Sequence, residues 1–194
     1  MKFQETPLPG CYLIELTPIG DERGYFMRTF CEQEFLNRGL NPHLSQASIS
    51  CSREKGTLRG LHFQAGPAME DKLVSCIAGA VFDVMVDLRL GSPTFGKWFG
   101  AEISESNHRQ LYASKGFAHG FQALTSNVRL AYHIAQPFDA ERSGGVRWND
   151  PDLKIDWPLL PTNLSSRDQE LPLLWNMDRT SLVNYEPLVT APAA

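Results

Sequence analysis

Residues 72–88 read KLVSCIAGAVFDVMVDL, and this stretch decides the fold class. It holds two apolar runs, Lys72–Ala78 and Ala80–Leu88, which are separated by a turn at Ala78–Gly79. Short apolar runs that are rich in β-branched residues and bounded by turn residues are typical of buried β-strands. We therefore expect two consecutive strands here, within a β protein.

Strand-length segments continue on both sides of this stretch, at a spacing of roughly 8–12 residues with turn residues between them. The further segments are Cys11–Leu16, Tyr25–Phe30, Thr57–Gln64, Thr94–Ile103, Arg109–Ala113, Phe117–Leu124 and Val128–Ala135. Evenly spaced short strands without a long helix predict an all-β protein, either a sandwich or a jelly roll.

A few short helices and one irregular segment complete the prediction. The residues Glu32–Arg38 favour a short helix that Gly39 ends. Ser165 and Asp168 fit a capping pair for a second short helix. The segment Phe138–Asp150 follows neither the helix nor the strand period, so we expect it to be irregular.

Length and composition limit the domains, partners and compartment. With 194 residues we expect one domain over residues 1–180 and a C-terminal tail over residues 181–194, whose end, VTAPAA, is predicted to be loose. A net charge of −4 argues against a nucleic-acid partner. No apolar run has the length of a membrane span, and the start, MKFQETPLPG, lacks a signal-peptide core, so the predicted compartment is the cytoplasm, without a membrane partner. The four cysteines form no CxxC pair and are predicted to be reduced thiols.

The alternation of side chains along the strands indicates which of them face inward. Tyr132 shares its face with the apolar Leu130, and His119 shares its face with Phe117 and Phe121. The simplest interpretation of an inward histidine or tyrosine is a hydrogen-bonded core residue. The alternative is that both reach a cavity inside the barrel.

Arg59, His62, Lys72 and His119 are polar residues in strands that otherwise have the pattern of a core. Each alone has an ordinary explanation, such as an ion pair or a solvent-exposed strand end. Their clustering in neighbouring strands of one small barrel favours a shared cavity. Because Arg59 and His62 differ in parity, both can face that cavity only if Gly60 lies in a bulge.

Inward histidines in a β-barrel raise the question of a metal-binding cupin. The first cupin motif needs two histidines two residues apart, but the second position here is Gln64. The second motif, residues 114–119 (SKGFAH), does end on His119. Because the ligand set of three histidines and a carboxylate is incomplete, we predict no metal. A metal-dependent cupin oxygenase is the alternative that bound iron would support.

Several longer motifs occur in order along the chain. They are GTLRGLHFQ (Gly56–Gln64), KLVSCIAGAVFDVMVDLR (Lys72–Arg89), GSPTFGKW (Gly91–Trp98), GFAHGF (Gly116–Phe121), VRWNDPDLKIDWP (Val146–Pro158) and LSSRD (Leu164–Asp168). Together with DERGYF at Asp21–Phe26, they resemble the dTDP-4-dehydrorhamnose 3,5-epimerase family, the RmlC-type sugar-nucleotide epimerases of the cupin superfamily. The resemblance extends from about residue 5 to about residue 180.

This resemblance implies a double-stranded β-helix, the jelly roll of these cupins, with no cofactor. It also implies a homodimer whose N-terminal strands exchange with the partner's sheet. The implied substrate is a nucleoside-diphospho-4-keto-6-deoxy-hexose, and the implied reaction converts dTDP-4-dehydro-6-deoxy-D-glucose to dTDP-4-dehydro-L-rhamnose. The ketone acidifies the C–H bonds at C3 and C5, so a base, an enolate and an acid on the opposite face suffice for each inversion.

The resemblance also implies roles for individual residues. By motif position, His62 resembles the base and Asp168 the carboxylate that orients its imidazole. Lys72 is similar to the cation near the C4 oxygen, and Tyr132 to the acid on the opposite face. The positions that match substrate contacts are Arg23, Phe26, Gln46, Ser48, Arg59, His119, Phe138 and Arg167. Arg23 resembles a phosphate contact from the neighbouring subunit.

At four positions the chain departs from the family pattern. Relatives usually carry Glu at Arg28, Asn at Ser48, Tyr at Phe138 and Glu at Ser143. In the family these positions lie around the nucleotide and the sugar, so the departures concern which base and sugar are bound and how many centres are inverted. One interpretation is ordinary drift within 3,5-epimerases; another is an enzyme that inverts only C3 or only C5, on dTDP or another nucleotide. A binding protein without catalysis is a further alternative, which the complete set of base and acid opposes.

Overall fold

The computed structural model describes residues 1–180 and 182–187, and most of its regular structure is antiparallel strand. The strands are β1 (Lys2–Glu5), β2 (Cys11–Glu15), β3 (Ile19–Asp21), β4 (Gly24–Phe26), β5 (Gln46–Ser52), β6 (Leu58–Gln64), β7 (Lys72–Ala78), β8 (Ala80–Asp87), β9 (Trp98–Ser104), β10 (Arg109–Ala113), β11 (Phe117–Ala123), β12 (Val128–Ile134) and β13 (Ser143–Gly145). Two short helices are α1 (Glu32–Leu36) and α2 (Ser166–Glu170), and single 3₁₀ turns occur at Gly66–Ala68 and Ala140–Arg142.

Two sheets build the barrel. One has six strands in the order β1-β2-β10-β7-β12-β5, and the other has five in the order β13-β6-β11-β8-β9. The strands β3 and β4 form a separate two-stranded hairpin. The all-β jelly roll that the sequence predicts is therefore confirmed.

The main core lies between the two sheets. Both contribute fully buried apolar side chains to it, including Val74, Leu111 and Leu130 from one sheet and Val81, Met85 and Phe121 from the other. Burying a side chain of this size contributes about 1.5–3 kcal/mol relative to leaving it exposed. The alternation of apolar residues along the strands thus fixes which faces of the sheets meet.

Most of the predicted strands are present, and two of them, Lys72–Ala78 and Arg109–Ala113, have the predicted bounds. The strand predicted at Thr94–Ile103 is wrong at its start, because β9 begins at Trp98. The hydroxyls of Ser92 and Thr94 donate to the Asp87 carboxylate at 2.6 and 2.7 Å, which holds this segment in a turn.

Other differences have local causes. The strand predicted at Tyr25–Phe30 is only the second arm of the short hairpin, and the helix predicted at Glu32–Arg38 ends at Leu36. The prediction missed β1, β3 and β5, although β5 reads QASISCS and alternates Ala47, Ile49 and Cys51 with polar residues. It also missed β13 inside the segment expected to be irregular, where SGG pairs with β6 although glycine has low strand propensity.

Part of the expected tail packs on the barrel. Leu182 is buried, and the Leu90 amide donates to the Val183 carbonyl at 2.8 Å. Residues 182–187 therefore belong to the folded part of the chain. The rest of the expected tail, residue 181 and residues 188–194 with the VTAPAA end, lies outside the described residues.

Three further features concern the described part of the chain. All four cysteines, Cys11, Cys31, Cys51 and Cys76, are free. Within residues 1–180 and 182–187, no helix combines the length and hydropathy needed to cross a membrane. In the same residues, no group of three or more His, Cys, Asp or Glu side chains is arranged to hold a metal ion.

Candidate active site

Two adjoining cavities share part of their lining. The first has a volume of about 280 Å³ and the second about 180 Å³. His62, Lys72 and Ile134 line both, so these side chains form the wall between the two. The sequence-predicted residues that line one or both cavities are Gln46, Ser48, Arg59, His62, Lys72, His119, Tyr132, Phe138 and Arg167.

His62 and Asp168 form a hydrogen-bonded pair at this wall. The His62 Nε2 atom lies 2.6 Å from Asp168 Oδ1, and the Gly60 amide donates to Oδ2 at 3.2 Å. Burial raises the pKa of the Asp168 carboxyl, but the hydrogen bonds from His62 and Gly60 and the charge of His62 outweigh it, so that the pKa lies below its ordinary value. An ionised carboxylate therefore orients the imidazole.

The Ser165 hydroxyl accepts a hydrogen bond from the Asp168 amide at 3.1 Å. This is the predicted cap of α2, and it places Asp168 in the first turn of that helix. The helix thus holds the carboxylate behind His62 from outside the sheet.

A bulge at Gly60 brings Arg59 and His62 to one side of β6, as the sequence predicts. Phe121 pairs with Arg59 and His119 pairs with His62. The two pairs are therefore three residues apart along β6 but only two residues apart along β11. Gly60 has a φ of +122°, and a Cβ there would lie 2.5 Å from Gly120 Cα. Only glycine fits this crossing point.

His119 and Asp83 form a second pair, which is buried. The His119 Nε2 atom lies 2.7 Å from Asp83 Oδ1. Burial raises the pKa of the Asp83 carboxyl, although the charge and hydrogen bond of His119 act in the opposite direction. The His119 ring meets the Tyr132 ring edge-on, with 5.7 Å between centroids, so the pair fixes one wall of the first cavity.

The first cavity receives its reactive side chains from two sheets. In the six-stranded sheet, Lys72 of β7 pairs with Ile134 of β12, two residues from Tyr132, so the three side chains share a face. In the other sheet, His62 and His119 are cross-strand neighbours. The imidazole of His62 and the phenol of Tyr132 therefore reach the cavity from two different sheets.

The Tyr132 hydroxyl keeps its proton at neutral pH. Burial and the nearby Asp83 charge raise the pKa of Tyr132 above the ordinary tyrosine value, and the opposing effects of Ser50 and Arg59 are smaller. A protonated phenol is a suitable donor to a basic carbon atom.

Comparisons with known proteins decide the family. The family model described as dTDP-4-dehydrorhamnose 3,5-epimerase matches residues 5–176. A dTDP-4-dehydrorhamnose 3,5-epimerase from Sinorhizobium fredii is 43% identical over 175 residues, which cover 90% of each chain. This chain belongs to the dTDP-4-dehydrorhamnose 3,5-epimerase family.

Solved structures of relatives share the fold of this family member. The dTDP-6-deoxy-D-glucose-3,5-epimerase of Legionella pneumophila, in complex with dTDP-4-keto-L-rhamnose, has a TM-score of 0.91 and 40% identity, covering 95% of this chain and 98% of that one. A 3′-monoepimerase from Streptomyces bikiniensis, in complex with dTDP-quinovose, has a TM-score of 0.85 and 30% identity, covering 93% and 92%. The same fold thus carries both 3,5-epimerases and a monoepimerase.

Two arginines in the cavities of this epimerase-family chain are bonded to uncharged groups. Arg59 donates to the Cys51 carbonyl at 3.1 Å, and Arg167 donates to the Ser143 hydroxyl at 2.7 Å. Within the described part of the chain, neither arginine has a carboxylate partner. Their charges are therefore available to an anionic ligand such as a diphosphate.

Arg23 and Phe26 lie away from both cavities, whereas Asp168 lines neither cavity but contacts His62. Arg23 lies in the turn between β3 and β4, where its Nη2 contacts Asp21 Oδ2 at 2.5 Å. Phe26 is 74% exposed at the end of that hairpin. A role for them in the site requires a second chain.

Phe138 lines the second cavity at its open side. Its side chain is 66% exposed, and its backbone amide donates to Gln46 Oε1 at 3.2 Å. The ring offers a flat apolar surface but no hydroxyl.

The sequence prediction missed two carboxylates beside the site, Asp83 and Glu70. Asp83 has the parity of Val81 and Met85 in β8, so an acidic residue on an inward face was the signal for it. Glu70 precedes β7 outside any periodic segment, and no pattern in the sequence indicates its contact with Lys72.

Proposed function

We propose that this chain epimerises dTDP-4-dehydro-6-deoxy-D-glucose at C3 and C5 and so produces dTDP-4-dehydro-L-rhamnose. The observation that carries the proposal is the placement of His62 and Tyr132 around one cavity, on strands of two different sheets. Inversion of a carbon needs a base on one face and an acid on the other. Membership of the dTDP-4-dehydrorhamnose 3,5-epimerase family supports the same assignment.

The first step is proton abstraction next to the ketone. The imidazole of His62 takes the proton from C3 or C5, and the electron pair of that C–H bond moves to the C4 oxygen to form an enolate. Lys72, which lines the same cavity, stabilises this oxygen by its positive charge. A single donor at such an oxygen is typically worth about 3 kcal/mol of transition-state stabilisation.

The second step returns a proton to the opposite face of the same carbon. The electron pair of the enolate reforms the ketone as the carbon takes the proton of the Tyr132 hydroxyl. The enzyme is left with a protonated His62 and a Tyr132 phenolate, which return to their starting states by exchange with solvent. The raised pKa of Tyr132 makes its phenolate a strong base that quickly regains a proton.

Substrate binding uses the cationic and polar groups around the two cavities. The Arg59 and Arg167 guanidiniums are suited to the diphosphate, and the contact with Asp83 holds the His119 ring in place at the cavity. Gln46 and Ser48 of β5 offer further polar contacts to the nucleotide sugar.

The active unit in this proposal is a homodimer. The β3–β4 hairpin carries Ile19 at 73% and Phe26 at 74% exposure, an apolar surface that a second copy would cover. Such packing would carry Arg23 toward the partner's cavity. Light scattering should report about twice the 21.7 kDa mass of the chain. A monomer that is active at nanomolar concentration would contradict this part of the proposal.

The test of the function is NMR of the purified protein with dTDP-4-dehydro-6-deoxy-D-glucose in heavy water. The expected result is deuterium at C3 and C5 together with the inverted product. The absence of both exchange and product would overturn the proposal, and a panel of other nucleotide sugars would then identify the substrate.

A monoepimerase is the second candidate, and the second cavity favours it. Phe138 has no hydroxyl and Ser143 no carboxylate, at positions where the family resemblance described above implies these groups. A second inversion requires another pucker of the sugar ring, which depends on groups that steady it. Deuterium at only one of the two carbons would support this candidate.

A further inference from the structure

Glu70 is a buried carboxylate without a part in the two proton transfers. Its Oε1 accepts a hydrogen bond from Lys72 Nζ, and the two side chains are 5% and 11% exposed. Its Oε2 is also buried and has no hydrogen-bond partner among the described residues. Glu70 and Lys72 both line the second cavity, so this ion pair lies at the site itself.

Apart from Glu70, the side chains that line the two cavities with Lys72 are cationic or neutral. The titratable groups that line the cavities with it are His62 and Arg59 from β6, His119 from β11, Tyr132 from β12 and Arg167 from α2. Of the described residues that line either cavity, Glu70 alone carries a carboxylate.

A buried ammonium without a partner is costly and tends to lose its proton. A carboxylate in hydrogen-bond contact opposes this effect, because the attraction between the two charges favours the charged amine. The contact also restricts the long lysine side chain to one position.

We propose that Glu70 is a positioning residue that holds the Lys72 ammonium at the wall between the two cavities and keeps it charged there. The inference rests on the proposed function in that Lys72 is the group that meets the C4 oxygen. Glu70 acts on the reaction only through Lys72. Because Oε2 has no partner, Lys72 is the only hydrogen-bond donor to the Glu70 carboxylate among the described residues.

The test compares two substitutions of Glu70. Glu70→Gln keeps an oxygen that can accept from Lys72 but removes the charge, whereas Glu70→Asp keeps the charge on a shorter side chain. The matched control is Glu15→Gln, which removes the carboxylate of a surface ion pair with Lys2 and Arg109. Thermal unfolding checks that each variant is folded.

The first readout is the pH profile of deuterium incorporation into the sugar. In Glu70→Gln the alkaline limb should move to lower pH by about one unit, which is about a tenfold loss of rate at a pH on that limb. Glu70→Asp and Glu15→Gln should keep the position of the wild-type limb. A Glu70→Gln profile that overlays the wild type would overturn the proposal.

The second readout does not need activity. NMR of protein labelled at the lysine ε-carbon follows Lys72 directly, and Lys72→Arg identifies its resonance. The pH-dependent shift of this resonance should come at lower pH in Glu70→Gln than in the wild type, and an unchanged midpoint would contradict the proposal. If the wild type fails to epimerise the nucleotide sugar, the proposed function fails, while this titration still decides the role of Glu70.

Discussion

The two histidine–aspartate pairs have nearly the same geometry and very different surroundings. The nitrogen–oxygen distances are 2.6 Å for His62–Asp168 and 2.7 Å for His119–Asp83. The His62 side chain is 38% exposed at the cavity wall, whereas the His119 side chain is 7% exposed. The first imidazole can therefore exchange protons with a substrate, and the second is built into the wall.

The carboxylates of these pairs differ in the direction of their pKa shifts. Both are desolvated, but Asp168 also accepts from the Gly60 amide, and its pKa falls below the ordinary value. Asp83 has no second donor among the described residues, and its pKa rises. Additional hydrogen bonds to the anion thus decide whether a buried carboxylate stays ionised. In the proposed function, the first pair carries out catalysis and the second positions the substrate.

The largest expected effect comes from the two histidines. His62→Ala removes the base, so deuterium exchange next to the ketone should fall by about 10²–10⁴-fold, while binding of dTDP is largely kept. His119→Ala should instead weaken substrate binding and keep most of the exchange rate at saturation. Exchange kinetics and calorimetric titration measure the two properties. Substantial residual exchange in His62→Ala would remove the contrast between the pairs.

The two aspartates should show a smaller effect of the same kind. Asp168→Asn removes the charge that orients His62, so the exchange rate should fall by about 10²-fold. Asp83→Asn removes a charge that burial already disfavours, so the loss should be less than about tenfold. Both rates come from the same exchange assay. Equal losses of rate in the two variants would show that the difference in burial does not give the two pairs different roles.

The smallest effect concerns the second cavity, where Phe138 lacks a hydroxyl. One hydrogen bond is worth about 0.5–1.5 kcal/mol, or roughly a threefold to tenfold bias in rate. We expect deuterium to enter C3 and C5 at different rates, and Phe138→Tyr to narrow the gap. Equal rates that the substitution leaves unchanged would make Phe138 neutral drift and favour the plain 3,5-epimerase.

Much of the fold was predictable, because strands β7 and β10 carry regular apolar patterns that local rules recognise. The missed strand β13 is one whose stability comes from its partner strand. The SGG segment of β13 becomes a strand only because β6 offers it hydrogen bonds. Pairing of this kind joins residues far apart in the chain, and a local pattern does not contain it.

In the site, too, local patterns predicted some features and missed those that depend on distant residues. The need for a bulge at Gly60 followed from the parity of Arg59 and His62, and the structure confirms it. The contact of Glu70 with Lys72 and that of Asp83 with His119 were missed, because the partners of a buried charge depend on how loops and sheets meet in space. Inward polar residues are visible in a sequence, but their partners are not.

The most direct test of a base and an acid that reach one cavity from two sheets is the Tyr132→Phe variant in heavy water. His62 is intact in this variant, so deuterium should still enter the starting sugar from the face of the imidazole. The acid is missing on the other face, so NMR should find little inverted product, at least about 10²-fold below the wild type. Unimpaired inversion by Tyr132→Phe would contradict the account and assign the acid to another group.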